Sequence, residues 1–378
     1  MRVVIAGAGL GGLCLAQGLR GAGMEAVVHE RDASVGARPQ GYRIHLDGRA
    51  AVALHACLPT ELYQLFLATA NRPSHRFTVV TKRLRELHTA GFPASEPTRP
   101  EEVNTAVDRS VLRTILLCGL GDAVRFGSEY VRYESSADGS VRAVFADGST
   151  EAGDLLVGAD GTGSRVRAQY LPQAQVPDTG DRTLYGRAPL TPQLRTLLPP
   201  FLGEGFTAVV ASRRLGMAVG LVDFREPPRQ AAARLWPAAD FGGAAPYAMW
   251  GLSGQGRAFP SDARMRALDG PGLHQVALDM VRRWHPSLRA LVEHATPAET
   301  AYQQIRVARP VEPWPATSVT LLGDAVHAMS PARGSGANIA LKDAGRLCAE
   351  LTAPHAAGSP VPAVARYETA MRDYGFAV

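Results

Sequence analysis

Apolar residues run from Val3 to Ala6 and stop in a cluster of glycines at Gly7, Gly9, Gly11 and Gly12. A short, continuously apolar segment fits a strand buried on both faces, so Arg2–Ala6 is expected as a strand of a parallel sheet. From Leu13 to Ala22 the spacing becomes helical, Gly23 supplies a helix stop, and Ala26–His29 reads as a second strand closing on Glu30. The same order recurs twice. Within Asp154–Arg167 an apolar run ends in Asp160-Gly161 and leads to Ser164-Arg165 at a helix start. Ser318–Leu322 ends in Gly323-Asp324, turns through Gly334 and Gly336, and enters a helix from about Asn338 to Leu351. Val141–Phe145 and Thr150–Leu156 flank Asp147-Gly148, a pair favoured in hairpin turns.

Between roughly 170 and 310 the pattern belongs to strands: Thr183–Pro189, Thr207–Val210, Leu215–Val222 and Tyr247–Leu252. Arg-Pro and Pro-Pro pairs near 199, 227 and 310 mark turns and a crossover back. The whole predicts an α/β protein. Residues 1–170 and 310–378 form a discontinuous Rossmann-like domain, three-layered around a parallel sheet. Residues 171–309 form an inserted domain on a mixed or antiparallel sheet, to which about 70–105 contributes.

Each glycine of Gly7-x-Gly9-x-x-Gly12 has a physical task. Gly7 makes the tight turn, Gly9 lets backbone approach a pyrophosphate, and Gly12 lets helix pack on strand. Glu30 stands where an adenosine ribose needs an acceptor; an acid there disfavours a 2′-phosphate, and the choice between FAD and NAD stays open. Asp324 before a glycine-rich helix start likewise suits a polar cofactor, the carboxylate accepting from hydroxyls and the helix N–H groups facing an electron-rich group. Asp324 as a plain helix cap is the bland alternative.

Composition changes this picture little. Formal charge is +5 and the basic residues are almost all arginine, Lys82 and Lys342 being the only lysines. Arginine does not cluster with interleaved aromatics, so nucleic acid is not an expected partner. The four cysteines, Cys14, Cys57, Cys118 and Cys348, lack metal-ligand spacing and read as reduced thiols. Arg2 and the apolar stretch Val3–Leu19 could pass for a signal peptide, but glycines at turn spacing and a following strand argue against export. No run reaches membrane-spanning length. The expectation is a cytoplasmic monomer or homodimer acting on small molecules.

Three motifs in order, Gly7-x-Gly9-x-x-Gly12, Asp160-Gly161-x-x-Ser164-x-x-Arg167 and Gly323-Asp324-x-x-His327-x-x-x-Pro331-x-x-Gly334-x-Gly336-x-Asn338, resemble those of single-component aromatic flavoprotein monooxygenases, the para-hydroxybenzoate hydroxylase-like enzymes. Asp108-Arg109-x-x-Leu112-Arg113 and Ala37-Arg38-Pro39-Gln40-Gly41 are similar to two further segments near the flavin in that family. The resemblance implies that Gly7, Gly9, Gly12 and Glu30, with Arg31 beside it, hold the ADP half of FAD. Asp324 would bind the ribityl or pyrophosphate portion. Pro331 and the backbone of Gly334, Gly336, Ala337 and Asn338 would line the reactive ring. Arg38, Arg109 and Arg113 would contact FAD, and Asp160 would serve both FAD and nicotinamide binding. A solvated helix residue is the lesser alternative for Arg109, Arg113 is divided between the two readings, and His327 reads as a structural hydrogen-bonding residue.

The activity implied is a monooxygenase using NADPH or NADH and O₂ to insert one oxygen atom into an aromatic or polyketide-like substrate through a C4a-hydroperoxyflavin. Hydroxylation, epoxidation and Baeyer-Villiger chemistry remain open. The hard chemistry is the cofactor's, and no side chain is assignable as an obligatory acid or base. Trp236, Tyr247, Trp250 and Phe259 are candidates to stack on an aromatic substrate, with core packing the commoner fate. The alternative within the superfamily is a reductase or saturase without oxygen transfer. A halogenase is disfavoured because W-x-W-x-I-P is missing and only two lysines exist.

Overall fold

The computed structural model describes all residues except 38–41, 73, 92–95, 332–333, 355–357 and 377–378, so Arg38 lies outside the described residues. A five-stranded parallel sheet runs in the order Val319–Leu321, Leu155–Gly158, Arg2–Ala6, Glu25–His29, Val124–Arg125. Its central strand is buried throughout Val3–Ala6, which is why the sequence shows an apolar run and not an alternation. Neighbouring side chains still point to opposite faces. Ile5 meets the helix Leu10–Gly21 at Gly12, whereas Val4 meets an antiparallel three-stranded sheet at Gly153. Helices, parallel sheet and small antiparallel sheet are therefore the three layers.

The small sheet comprises Tyr130–Ser135, Val141–Phe145 and Thr150–Gly153. Here the expected strand Thr150–Leu156 is divided. The Asp154 carboxylate accepts from the Arg2 amide at 2.6 Å and its own amide donates to the Arg2 carbonyl, so the chain leaves one sheet and enters the other as Leu155–Gly158. At Gly153 a β-carbon would lie 2.9 Å from the Val4 side chain, so the crossing needs a glycine.

A mixed seven-stranded sheet follows the order Ala301–Arg306, Asp178–Pro189, Tyr247–Gln255, Leu215–Val222, Gly205–Ser212, Arg76–Thr81, Glu86–Gly91, antiparallel except between Gly205–Ser212 and Arg76–Thr81. Val219, Trp250 and Leu252 on one face join Leu273, Leu288 and Leu291 in a hydrophobic core of their own. The other face carries Phe206, Ala208, Ala218 and Met249, all half-buried. A two-stranded ribbon, Arg43–Leu46 with Thr105–Asp108, packs on the strand Leu215–Val222 of the seven-stranded sheet.

The helix Gly336–Thr352 seats against the first helix because Gly11 brings the backbones together: a β-carbon there would lie 3.0 Å from the Ala340 carbonyl oxygen. The helix that follows the central strand and a helix from the last part of the chain are thus in direct contact. Among the described residues no helix is long and apolar enough to cross a membrane.

Candidate cofactor and substrate cleft

The glycines of the first turn divide by what they touch. At Gly7 φ is +111° and a β-carbon would sit 2.4 Å from the Ala159 carbonyl oxygen; at Gly12 it would sit 2.2 Å from the Gly7 oxygen. The protein's own packing demands both. Gly9 has φ −76°, ordinary for any residue, and a β-carbon there would meet nothing nearer than the Ala159 oxygen at 3.9 Å. Packing does not explain that glycine. Gly336 behaves the same way, with the Asp324 carboxylate oxygen at 3.7 Å as its nearest neighbour. Gly9 and Gly336 each stand at the start of a long helix with no side-chain cap. Two helix N-termini with free approach to their backbone are suited to anionic or electron-rich groups.

Asp324 opens the short helix Asp324–His327, entered through Gly323 at φ 60°. The residue is exposed, yet protein surrounds it closely enough for desolvation to push its carboxyl upward, with His327 and Arg109 pulling the other way. Exposure together with enclosure describes the floor of a cleft. Arg109 begins the helix Arg109–Leu117, with its guanidinium 5.7 Å from the centre of the Tyr42 ring. Its charge acts on both Asp324 and Tyr185, opposing the upward push that burial gives each of them. Pro331 is exposed at the entrance to the Gly334 turn, where φ is +63°, and its carbonyl accepts from the Gly334 amide.

Other motif residues hold the turns in place. Arg113, buried, donates from Nε to the Ala8 carbonyl at 2.9 Å and from Nη1 to that of Val35 at 3.0 Å, with Glu30 3.7 Å from Nη2. The Glu30 carboxylate accepts from the amides of Ala8 and Asp32, while Arg31 is exposed beside it. Arg167 bridges the second and third motifs, donating to the carbonyls of Ala325 and Thr162, both at 2.9 Å. The Asn338 side chain is fully buried; it accepts from the Asp47 amide and donates to the carbonyls of His45 and Gly334. Its helix neighbour Ala337 is half-buried.

His327 lies beneath Asp324. Its Nε2 is 2.6 Å from Asp343, whose carboxylate also accepts from the Gly323 amide and the Tyr374 hydroxyl. Burial pushes His327 down, but the Asp343 charge and hydrogen bond raise it further, and the net displacement is upward. Asp160 accepts from the amides of Arg165 and Val166 through Oδ2, while among the described residues buried Oδ1 has no hydrogen-bond partner. Burial holds its carboxyl above the ordinary range against Ser164 and the Arg165 amide. A buried carboxylate oxygen without a protein donor calls for an explanation, and a donor from a ligand would supply one.

The aromatic candidates fare differently. Trp250 and Phe259 belong to the second core, Tyr247 is buried with its hydroxyl donating to Asp108 at 2.8 Å, and Trp236 packs over Gly119. Among the described residues Tyr42, Tyr185 and Phe206 carry aromatic rings on the open side, with Phe77 stacked against Phe206. Sequence reasoning passed over these three, because which face of a strand looks into a cleft is a tertiary fact. Glycines inside strands, Gly220 and Gly251, were the available signal of close approach.

Comparisons with known proteins identify the family. Residues 277–374 match the family model described as an FAD binding domain. The chain is 31% identical over 353 residues to the FAD-dependent monooxygenase thnD of Trichoderma harzianum, covering 89% of this chain and 79% of that protein. It is 36% identical over 376 residues to the dual O-methyltransferase/FAD-dependent monooxygenase elcB of Phaeosphaeria nodorum, covering 91% of this chain but 39% of the relative. The chain spans less than half the length of such dual relatives, 39% to 44%. A crystal structure described as an FAD-containing monooxygenase from Photorhabdus luminescens superposes with a TM-score of 0.83 at 31% identity, covering 99% of this chain and 94% of that one.

Proposed function

The chain belongs to the FAD-dependent monooxygenases, and we propose that it uses NADPH or NADH and O₂ to place one oxygen atom on an aromatic or polyketide-like small molecule. One oxygen atom enters the substrate and the other leaves as water, with NAD(P)H and a proton supplying the electrons and hydrogen. FAD, when bound, supplies the redox chemistry. The protein's part is to bind, orient and exclude water.

In this reading residues 1–170 and 310–378 hold FAD, and 171–309 with a contribution from about 70–105 hold the substrate. Gly7 and Gly12 shape the first turn, and Gly9 admits the pyrophosphate. Glu30, near Arg31, accepts from the ribose, with Arg113 orienting it. Asp324 binds the ribityl or pyrophosphate portion, and Arg109 balances its charge. Arg38 contributes from outside the described residues. Pro331 and the backbone of Gly334, Gly336, Ala337 and Asn338 face the flavin ring, with donors at a helix start where negative charge develops. Asp160 serves the nicotinamide.

A single observation carries the proposal: Gly9 and Gly336 are glycines that the protein's own packing does not require, at two uncapped helix starts. The test is NAD(P)H oxidation by FAD-loaded protein across a panel of aromatic and polyketide compounds, with mass spectrometry of the products. Substrate-stimulated oxidation with gain of one oxygen atom is expected. Stoichiometric hydrogen peroxide with every compound would remove the substrate half of the proposal. Oxygen-independent reduction of a substrate double bond would replace it with the saturase reading. Asp160→Ala should slow flavin reduction by NAD(P)H, and an unchanged rate would take Asp160 out of the nicotinamide site.

A further inference from the structure

Arg43 differs from the other two buried arginines of the cleft. Arg113 and Arg167 each donate to two backbone carbonyls, through Nε and Nη1 in Arg113 and through both Nη groups in Arg167. Arg43 is 9% exposed, and among the described residues its guanidinium has one hydrogen bond, a long one of 3.3 Å from Nε to the Leu221 carbonyl. No described carboxylate pairs with it. Asp108, opposite it in register, is engaged by Ser110, Val111 and Tyr247. Burial lowers Arg43 to about 10, and of its surroundings only Tyr247 works the other way, so it stays protonated at neutral pH.

The position of this cation is set by the sheet. Gly220 leaves the space: a β-carbon there would lie 2.8 Å from Arg43 Nε. The guanidinium carbon is 5.4 Å from the centre of the Phe206 ring, and Phe206 is the register partner of Gly220. On the next row of that face stand Ala208, Ala218 and Gly251, which leave a hollow edged by Tyr185. Along its own strand Arg43 shares a side with His45, about 7 Å away by strand geometry. His45 meets the proposed flavin-facing turn, its Cβ 3.6 Å from a β-carbon at Gly334 and its carbonyl bonded to Asn338. The cation thus lies between the hollow and that turn, at a separation that suits a small ring system.

We propose that Arg43 is the specificity-determining cation of the substrate pocket, and that the substrate presents an anionic oxygen to it: a phenolate, enolate or carboxylate on a flat apolar body that lies in the hollow of the seven-stranded sheet. A buried unpaired charge is costly, and an incoming anion removes that cost while gaining charge-assisted hydrogen bonds from the Nη groups. A structural clamp would instead have those groups on backbone carbonyls, as in Arg113 and Arg167. The proposal rests on the monooxygenase reading for the identity of the pocket.

Its test is a binding measurement without turnover. FAD-loaded, oxidised protein is titrated with naphthoate and with the matching naphthamide, followed by perturbation of flavin absorbance and without NAD(P)H. Wild type should bind the acid about tenfold or more tightly than the amide, the effect of a hydrogen bond to a charged group. Arg43→Met should erase that preference while keeping amide affinity, and Arg43→Lys should restore part of it. Gly220→Ala, which displaces the guanidinium without removing it, should weaken the acid alone and carries the test if Arg43→Met does not fold. Equal binding of acid and amide by wild type, no binding of either, or an undiminished preference in the variants would each overturn the assignment. An acid preference lost in Arg43→Met, with no oxygenated product from any compound, would leave Arg43 assigned and defeat the monooxygenase reading instead.

Discussion

The two walls of the cleft are made in different ways. The nucleotide wall consists of strand-turn-helix units whose functional positions lie within a few residues of one another: Gly7 to Gly12, Asp160 to Arg167, Gly323 to Asn338. The sheet wall is assembled from single residues on distant strands, Arg43, Tyr185, Phe206, Gly220 and Met249, none of which belongs to a motif. At Gly7, Gly12, Gly323 and Gly334 local geometry dictates residue type, because a positive φ or a contact under 3 Å admits only glycine. On the second wall alternation merely demands something apolar or small. Two proteins of one family can therefore share the first wall and differ in the second.

Gly12 and Gly9 differ most in what a side chain would meet, the Gly7 carbonyl oxygen at 2.2 Å against nothing nearer than 3.9 Å. Gly12→Val should abolish accumulation of folded protein, since its β-carbon would strike the Gly7 carbonyl oxygen at 2.2 Å. Folded Gly12→Val protein by circular dichroism would show that packing does not require this glycine. Next in size is Asp343→Ala, which strands buried His327 and should lower stability by about 3–5 kcal/mol in denaturant titration. The pH profile gives the sign. His327 titrates above its ordinary 6.5 when folded, so its contribution is complete below that value and fades as pH rises through the folded value. Asp343→Asn should flatten that decline; an identical slope in both proteins would remove His327 from the linkage.

Smaller effects separate binding from folding. Asp324→Ala should melt like wild-type apoprotein but bind FAD roughly a hundredfold more weakly, from loss of charge-assisted hydrogen bonds. Full flavin occupancy after dialysis would contradict the role given to Asp324. Gly9→Ala should also fold normally, with FAD affinity reduced about tenfold by the displaced ligand backbone. If its thermal midpoint fell as far as that of a packing variant, Gly9 would belong with Gly7 and Gly12. Ala218→Leu on the sheet wall is the mildest: full FAD content, a few-fold higher KM, and more NAD(P)H consumed per oxygenated product as the hollow fills.

Much of the nucleotide wall was legible beforehand because its constraints are short-range. Arg2–Ala6 is a strand to the residue, and the Ser164 hydroxyl caps the helix Arg165–Tyr170 as its position suggested. The division at Asp154 was not legible, since only the pairing of Arg2 with Asp154 shows where one sheet ends and the other begins. Nor was the work of Arg113, Arg167 and Asn338, whose partners at Ala8, Ala325 and His45 lie more than a hundred residues away. They were read as motif members, and the fold makes them ties between turns.

By itself the sequence determined the α/β order of elements, the glycines that permit tight turns, and the acids that end buried strands, because each depends on backbone conformation within one turn of chain. Only the packing of distant segments sets which glycines face open space, which aromatics look outward from the seven-stranded sheet, and that Arg43 lies buried against Gly220 without a carboxylate among the described residues. Those properties depend on what a distant strand places opposite a residue, and strand pairing carries no mark of its partner in the local sequence.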